Sequence, residues 1–179
     1  MLVGSLYNIV DQVFIGRGVG IYGNAATNVA FPLTTICVSI SLFLGLGGAS
    51  IYSISLGRGN KKKAADIIGN TIILAITFSV IFSIIVRIFV RKFMIIFGAT
   101  QDVLQYAIDY TSVTSIGFLP FVFSTVMSHL IRADGSPKYA MFSVSIGAIV
   151  NIILDPIFIF KFNMGISGAA LATIIGQFI

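Results

Sequence analysis

Long apolar stretches recur along this chain, and they restrict its fold more than any other feature. Windows with few charged residues cover residues 25–56, 67–97, 106–131 and 139–160. A helix that crosses a bilayer needs roughly 20 mostly apolar residues, so each window is long enough to span a membrane. Two shorter apolar segments, residues 1–15 and 167–179, flank these windows and are interpreted as parts of helices. We therefore expect an all-α integral membrane protein, a six-helix bundle in which the first and last helices are truncated.

The composition agrees with lipid as the main solvent of the chain. Of its 179 residues, 57% are hydrophobic and only 9% are charged, whereas a typical soluble domain carries about 25% charged residues. The net charge of +5 comes from basic residues spread over short loops, without a basic stripe interleaved with aromatic side chains. A nucleic-acid partner is therefore not expected. The sequence predicts a multi-pass protein of the cell membrane whose partner is the lipid bilayer.

Basic residues near the helix ends leave the orientation in the membrane open. If the loop before residue 25 is outer, six lysines and arginines fall in inner loops and five at outer ends. The dense basic cluster at residues 58–63 favours this orientation, because inner loops carry an excess of Lys and Arg. The group of Arg87, Arg91 and Lys92 opposes it. The two counts are too close to decide between the orientations.

The sequence contains no recognisable catalytic constellation and no set of soft-metal ligands. The chain has no Glu, one His and one Cys, so a disulfide or a cysteine metal cluster within it is excluded. It contains no nucleophile elbow, no His-Glu-x-x-His helix and no phosphate-binding glycine loop after a strand. We therefore expect a protein that is not an enzyme and that has no cofactor.

Asp155 is the most informative polar residue in these apolar stretches. An ionised carboxylate at membrane depth costs several kcal/mol or more unless it is paired, hydrated or protonated, so such residues usually mark ion or proton pathways. Asn151 lies four residues earlier and therefore on the same face of a helix. This Asn-x-x-x-Asp pair favours a transport function.

Two further polar residues are predicted at the same depth. Asp11 stands six residues before Arg17, and Asp155 stands six residues before Lys161. If the first loop is outer, both helices run outward, and with a rise of 1.5 Å per residue both carboxylates would lie about 9 Å below the outer boundary. Thr173 reaches that level from the other side, six residues into the last predicted helix. The sequence thus predicts one polar layer built from three helices.

The donor atoms of this layer suit a small hard cation. Carboxylate, amide and hydroxyl oxygens favour a proton, Na⁺ or a similar ion over zinc or copper, so no metal beyond Na⁺ is expected at Asp11, Asn151, Asp155 and Thr173. The alternative is that these side chains only form hydrogen bonds between helices. Tyr7 lies deeper in the first helix and is a candidate lining residue of a substrate cavity.

Four segments, taken in order, resemble a known family of transporters. They are residues 7–17 (YNIVDQVFIGR), 55–64 (SLGRGNKKKA), 130–137 (LIRADGSP) and 151–158 (NIILDPIF). These segments are similar to the first helix, two inner loops and the fifth helix of the multidrug and toxic compound extrusion transporters of prokaryotic type. The resemblance covers nearly the whole chain.

The resemblance implies a twelve-helix antiporter made of two six-helix lobes. Such a protein exports cationic or amphipathic drugs in exchange for H⁺ or Na⁺, and residues 1–179 would form most of its amino-terminal lobe, with the carboxy-terminal lobe missing. The cation site of that lobe would use an Asp on the first helix, an Asn and an Asp on the fifth helix and a Thr on the sixth. By motif these are Asp11, Asn151, Asp155 and Thr173, the residues that the depth argument also selects.

Two other functions remain open. A lipid-linked oligosaccharide flippase of the same superfamily would need basic residues along its central cavity, whereas the basic residues of this chain cluster at loops. A membrane scaffold fragment that transports nothing would tolerate substitution of Asp11 and Asp155 by Leu or Ala.

Overall fold

A computed structural model describes the backbone of residues 2–178 and the side chains of residues 9–178. Six α-helices fill this range: α1 (Leu2–Gly18), α2 (Ile21–Gly57), α3 (Lys61–Ile96), α4 (Gln101–Ala133), α5 (Pro137–Pro156) and α6 (Gly165–Phe178). A five-residue segment of π-helix, Ile157–Lys161, follows α5 and is called the π-turn below. The predicted all-α class with six helices is confirmed.

Four helical segments of the described chain are long and apolar enough to cross a bilayer. They are α2 with 37 residues, α3 with 36, α4 with 33 and the 25-residue unit of α5 and the π-turn. The helices continue past the apolar windows because polar residues can extend them into the headgroup layer. At the start of α3, for example, the Asn60 side chain accepts a hydrogen bond of 3.0 Å from the backbone N–H of Lys63. Such a cap satisfies a backbone donor at the beginning of a helix.

Helix α4 lies at the centre of the bundle. It packs against α2, α3, α5 and α6, while α1 packs mainly against α5, and also against α2, α6 and the π-turn. The main apolar core lies between α2, α3 and α4 and includes Leu33, Cys37, Val86, Val122 and Val126. Because lipid tails are as apolar as these side chains, close packing rather than exclusion of water holds membrane helices together.

Small residues provide that close packing. A Cβ atom added at Gly48 in α2 would lie 2.5 Å from Thr71 Oγ1 in α3. One added at Gly45 would lie 3.3 Å from the Cα atom of Val126 in α4. Small residues at helix interfaces allow backbones to approach each other to this degree. The spacing of α2 against α3 and α4 therefore depends on these two glycines.

Helical geometry is interrupted inside α3 rather than at the prolines of α2 and α4. Both α2 and α4 continue unbroken through Pro32 and Pro120. In α3, Phe89 adopts φ −107° and ψ 16°, which lies outside the helical region. The Lys92 ammonium group lies 5.4 Å from the centre of the Phe89 ring, a cation–π distance.

Candidate cation site

Two carboxyl groups from different helices meet inside the bundle. Asp11 of α1 is 6% exposed and Asp155 of α5 is fully buried at 0%. The two side chains interact across the interface between α1 and α5. Two buried carboxylates beside each other cannot both be ionised without a compensating positive charge, because like charges repel strongly away from water. A pair of this kind can share a proton or hold a cation.

The polar layer extends from Asp155 to α6 through Asn151. The Asn151 Nδ2 atom lies 3.4 Å from Asp155 Oδ1 and 3.4 Å from Thr173 Oγ1. The Thr173 hydroxyl itself donates a 3.0 Å hydrogen bond to the carbonyl oxygen of Ala169. The structure thus brings all four residues selected from the sequence into one contiguous cluster.

Three oxygen atoms of this cluster are buried without a hydrogen-bond partner among the described residues: Asp11 Oδ1, Asn151 Oδ1 and Asp155 Oδ2. A buried polar atom without a partner costs about 1–3 kcal/mol, and more if it is charged, so such atoms are uncommon in native structures. Oxygen atoms of carboxylates and amides are the ligands that Na⁺ and other hard cations prefer. The residues present therefore fit a small hard cation or a proton.

Backbone contact between α5 and α6 allows Asn151 to reach Thr173. A Cβ atom added at Gly147 would overlap the carbonyl oxygen of Gly176, and one added at Gly176 would lie 3.0 Å from Asn151 Cβ. With hydrogen in place of side chains, the two helices approach closely one turn away from the site. This close approach aligns Asn151 of α5 with Thr173 of α6.

A cavity of about 700 Å³ borders the cluster on its other side. It lies between α4, α5 and α6, and Asn151 and Thr173 form part of its wall. Most of its lining is apolar, including Phe121, Phe123 and Met127, and further polar groups come from Ser124, Thr125, Ser128, Ser143 and Gln177. The Ser128 hydroxyl is buried and has no hydrogen-bond partner among the described residues. No pattern in the sequence indicates this cavity.

A second polar contact joins α1 to α2 beside the site. The Thr27 hydroxyl lies 3.1 Å from Gln12 Oε1 and 2.9 Å from the carbonyl oxygen of Asn24. These residues were not predicted from the sequence, although Gln12 directly follows Asp11, and Asn24 and Thr27 lie one turn apart. Tyr7 lies among residues 1–8, whose side chains are outside the described part of the structure.

A family model described as MatE matches residues 1–157. The chain belongs to the MatE family. The resemblance found in the sequence motifs is thereby confirmed. The matched region contains Asp11, Asn151 and Asp155 and ends before Thr173.

Curated relatives of this MatE-family chain carry names that refer to drug export. The multidrug export protein MepA of Staphylococcus haemolyticus is 27% identical over 181 residues, which cover 99% of the chain and 40% of MepA. The probable multidrug resistance protein YoeA of Bacillus subtilis is 25% identical over 179 residues, which cover 96% of the chain and 38% of YoeA. The chain therefore spans about 40% of the length of the curated relatives that it matches.

Solved MatE-type structures share the fold closely. An outward-facing multidrug resistance MATE family transporter of the MOP superfamily superposes with a TM-score of 0.93 at 29% identity, covering 99% of this chain and 39% of that one. The fold of this chain thus corresponds to one lobe of such a transporter. Its relatives are multi-pass membrane transporters rather than enzymes, and with its four long apolar helices this chain is a multi-pass membrane protein.

Proposed function

We propose that residues 1–179 form the amino-terminal lobe of a twelve-helix antiporter that exports cationic or amphipathic drugs in exchange for H⁺ or Na⁺. The membership of the MatE family and the drug-export names of the relatives support this function. The proposed exchange for H⁺ or Na⁺ rests on one observation, the buried pair of Asp11 in α1 and Asp155 in α5.

The coupling ion binds at Asp11, Asn151, Asp155 and Thr173. The two carboxyl groups supply the negative charge, and the partnerless oxygen of Asn151 supplies a neutral ligand. Thr173 orients the Asn151 amide, since its hydroxyl oxygen accepts from Asn151 Nδ2. A bound Na⁺ or a shared proton would lower the charge of the carboxyl pair from −2 to −1 and so relieve the repulsion between α1 and α5. That change gives the two helices two different stable arrangements, as alternating access requires.

The substrate binds in the cavity between α4, α5 and α6. Its volume of about 700 Å³ falls within the roughly 300–1,000 Å³ that is usual for sites of drug-sized ligands. Its apolar and aromatic lining suits the flat apolar part of an amphipathic drug, and its hydroxyl groups can contact polar substituents. Tyr7 remains a candidate lining residue of the substrate path.

Drug binding and ion binding are coupled because the cavity and the cation cluster have two residues in common. Asn151 and Thr173 line the cavity and also belong to the cation cluster. A cation that draws Asn151 towards Asp155 changes the surface that the drug contacts. Linkage then requires the drug to weaken cation binding by the same factor by which the cation weakens drug binding.

The charge of the cavity separates this function from an oligosaccharide flippase. Among the described residues, none of those that line the cavity is charged. A lipid-linked oligosaccharide carries phosphate groups, which are usually bound by Arg and Lys. One structural neighbour is a MOP superfamily transporter from Pyrococcus furiosus, with a TM-score of 0.92 and 29% identity, covering 99% of this chain and 39% of that one. The binding pocket of that transporter has reverse polarity. Pocket charge is therefore a property to test directly.

The test is ethidium efflux from cells that express the complete transporter containing this lobe, with proton and sodium gradients imposed separately. Loss of gradient-driven efflux in Asp155→Asn, at equal expression, would support coupling at this site, and the active gradient would identify the ion. Asp109→Asn is the matched control, because Asp109 is exposed and accepts a hydrogen bond from Gln105, one turn earlier in α4. Efflux unchanged by Asp155→Asn would refute the cation site. Absence of wild-type efflux under both gradients would favour the flippase or the scaffold.

A further inference from the structure

The carboxy-terminal end of α1 rests on the π-turn at a point where no side chain fits. A Cβ atom added at Gly18 would overlap Ile159 Cγ2 and would lie 3.2 Å from Phe160 Cε1. Ile159 is 4% exposed and packs in a small cluster with Ile15 and Ala169, both 0% exposed. Because Ile159 is buried against these neighbours, it can yield to a new side chain only by disturbing their packing. The contact between α1 and the π-turn therefore requires glycine at position 18.

The same face of α1 carries this contact and the cation site. Asp11, Ile15 and Gly18 are spaced four and three residues apart, so they form one stripe along the helix. On the facing segment, Ile159 follows Asp155 by four residues. The rings of Phe14 and Phe160 meet edge to face between helix and turn, with centroids 6.2 Å apart. Helix α1 thus touches α5 and the π-turn at two levels, about 10 Å apart along its axis.

The π-turn places Ile159 against the carboxy-terminal end of α1. Pro156 follows Asp155 and lacks a backbone N–H, so the regular α-helical pattern ends beside the site. The backbone N–H of Phe162 bonds to the carbonyl oxygen of Ile157 at 3.0 Å, the i to i+5 pattern of a π-helix. Short π-helical segments are frequent at functional sites.

We propose that Gly18 is a positioning residue whose contact with Ile159 sets the separation of the Asp11 and Asp155 carboxyl groups. The consequence for ion affinity rests on the proposed function, whereas the geometric claim does not. A side chain at position 18 pushes the carboxy-terminal end of α1 away from the π-turn. Since α1 is a rigid helix over this length, Asp11 moves away from Asp155.

The first experiment measures this separation without using ion binding. In a Cys37→Ser background, the pair Asp11→Cys and Asp155→Cys is oxidised with copper phenanthroline in lipid nanodiscs containing the full 179-residue chain. Gly18→Ala is expected to slow disulfide formation by about 100-fold, the scale of loss that a 1 Å misplacement of reacting groups produces. Ile159→Ala added to Gly18→Ala removes the clashing methyl group and is expected to restore the rate.

The matched control is Gly47→Ala in α2, because a Cβ atom at Gly47 has no neighbour within 4 Å. Ala also favours a helix over Gly, so slower cross-linking in Gly18→Ala cannot arise from weakening of α1. Equal rates in Gly18→Ala and Gly47→Ala would overturn the proposal. The proposal would also be overturned if Ile159→Ala did not restore the cross-linking rate lost in Gly18→Ala. The same holds if the Asp11→Cys and Asp155→Cys pair did not cross-link with Gly18 intact.

The second experiment follows ion binding with Asp11 and Asp155 intact. Gly18→Ala is expected to weaken ²²Na⁺ binding by roughly tenfold, as changes in groups that orient metal ligands do, and Ile159→Ala is expected to restore it. If Na⁺ is not the ion, the same pattern is expected in the pH dependence of proton uptake. If the wild type binds neither ion while the cross-linking pattern holds, the proposed function fails and the positioning role stands. If both ions bind normally in Gly18→Ala, the positioning role is refuted.

Discussion

Gly147 of α5 faces the backbone carbonyl of Gly176 in α6 with no side chain between them. This contact lies one turn from Asn151, whose Cβ atom would be 3.0 Å from a Cβ atom placed at Gly176. The hydrogen bond from Asn151 to Thr173 spans the same two helices. The cation cluster and the α5–α6 interface therefore depend on the same spacing.

Gly176→Ala is expected to destabilise the protein and to separate Asn151 from Thr173. The added methyl group would lie 2.7 Å from the carbonyl oxygen of Gly147, a backbone atom that can yield only if α5 moves. Overpacking of this kind costs about 1–3 kcal/mol. Thermal unfolding in detergent measures the effect, and Gly69→Ala serves as the control because a Cβ atom there has no neighbour within 4 Å. Equal melting temperatures in the two variants would contradict the expected clash.

Sodium binding should compete with protons at the Asp11 and Asp155 pair. Na⁺ binds deprotonated carboxylates, so its apparent affinity should rise with pH and fall as the pair takes up protons. Calorimetric titration of Na⁺ in two buffers of different ionisation enthalpy would report the protons released on binding. Asp155→Asn should abolish the release, and Asp109→Asn should leave it unchanged. Proton release that persists in Asp155→Asn would place the exchange elsewhere.

The hydrogen bond between the Tyr52 hydroxyl and the Asp134 carboxylate should stabilise the end of α2 against the turn between α4 and α5. Tyr52 is 6% exposed, so Tyr52→Phe keeps its ring packing and removes only the hydroxyl group. A loss of about 1 kcal/mol in the free energy of unfolding is expected, typical of one hydrogen bond. Tyr139→Phe, at a residue that is 74% exposed, is the control for the chemical change. Equal stability of the two variants would show that the bond contributes nothing.

Filling the cavity should weaken drug binding without affecting the ion. Ser143 lines the cavity, and Ser143→Phe would occupy part of its volume of about 700 Å³. The fluorescence of bound ethidium should show an affinity at least about tenfold lower, equivalent to 1.4 kcal/mol, while ²²Na⁺ binding stays at the wild-type level. Ser39→Phe, at an exposed position of α2 outside the cavity, is the matched control. An equal loss in both variants would place the drug elsewhere.

The helices could be predicted from the sequence because their signal is local. Apolar windows such as residues 67–97 report directly on the solvent of a membrane helix, and motifs such as residues 151–158 identify the family. The depth of Asp11, Asp155 and Thr173 could also be derived, because helical rise converts a residue count into a distance. These arguments depend only on spacing along one segment.

The cavity and the π-turn could not be predicted in this way. The cavity arises where α4, α5 and α6 diverge, and no single segment contains that information. Pro156 indicates a local break, but a wider helical turn after it depends on how Ile159 packs against Ile15 and Ala169. The requirement for glycine at position 18 likewise becomes visible only when the two helices are seen in contact.

Helix α3 buries only a small part of its surface within the lobe. Its buried residues form one narrow stripe of mostly small side chains: Ala64, Thr71, Ala75, Ser79, Val86 and Met94. Most of its other residues, such as Ile73, Phe78 and Ile88, are exposed on the surface of the bundle, where apolar side chains suit contact with acyl chains. Substitutions among Ile, Leu, Val and Phe on that surface should have little effect on the fold. Across related proteins, α3 should therefore keep its hydropathy while losing sequence identity, and its outer surface should vary with the thickness and fluidity of the host bilayer.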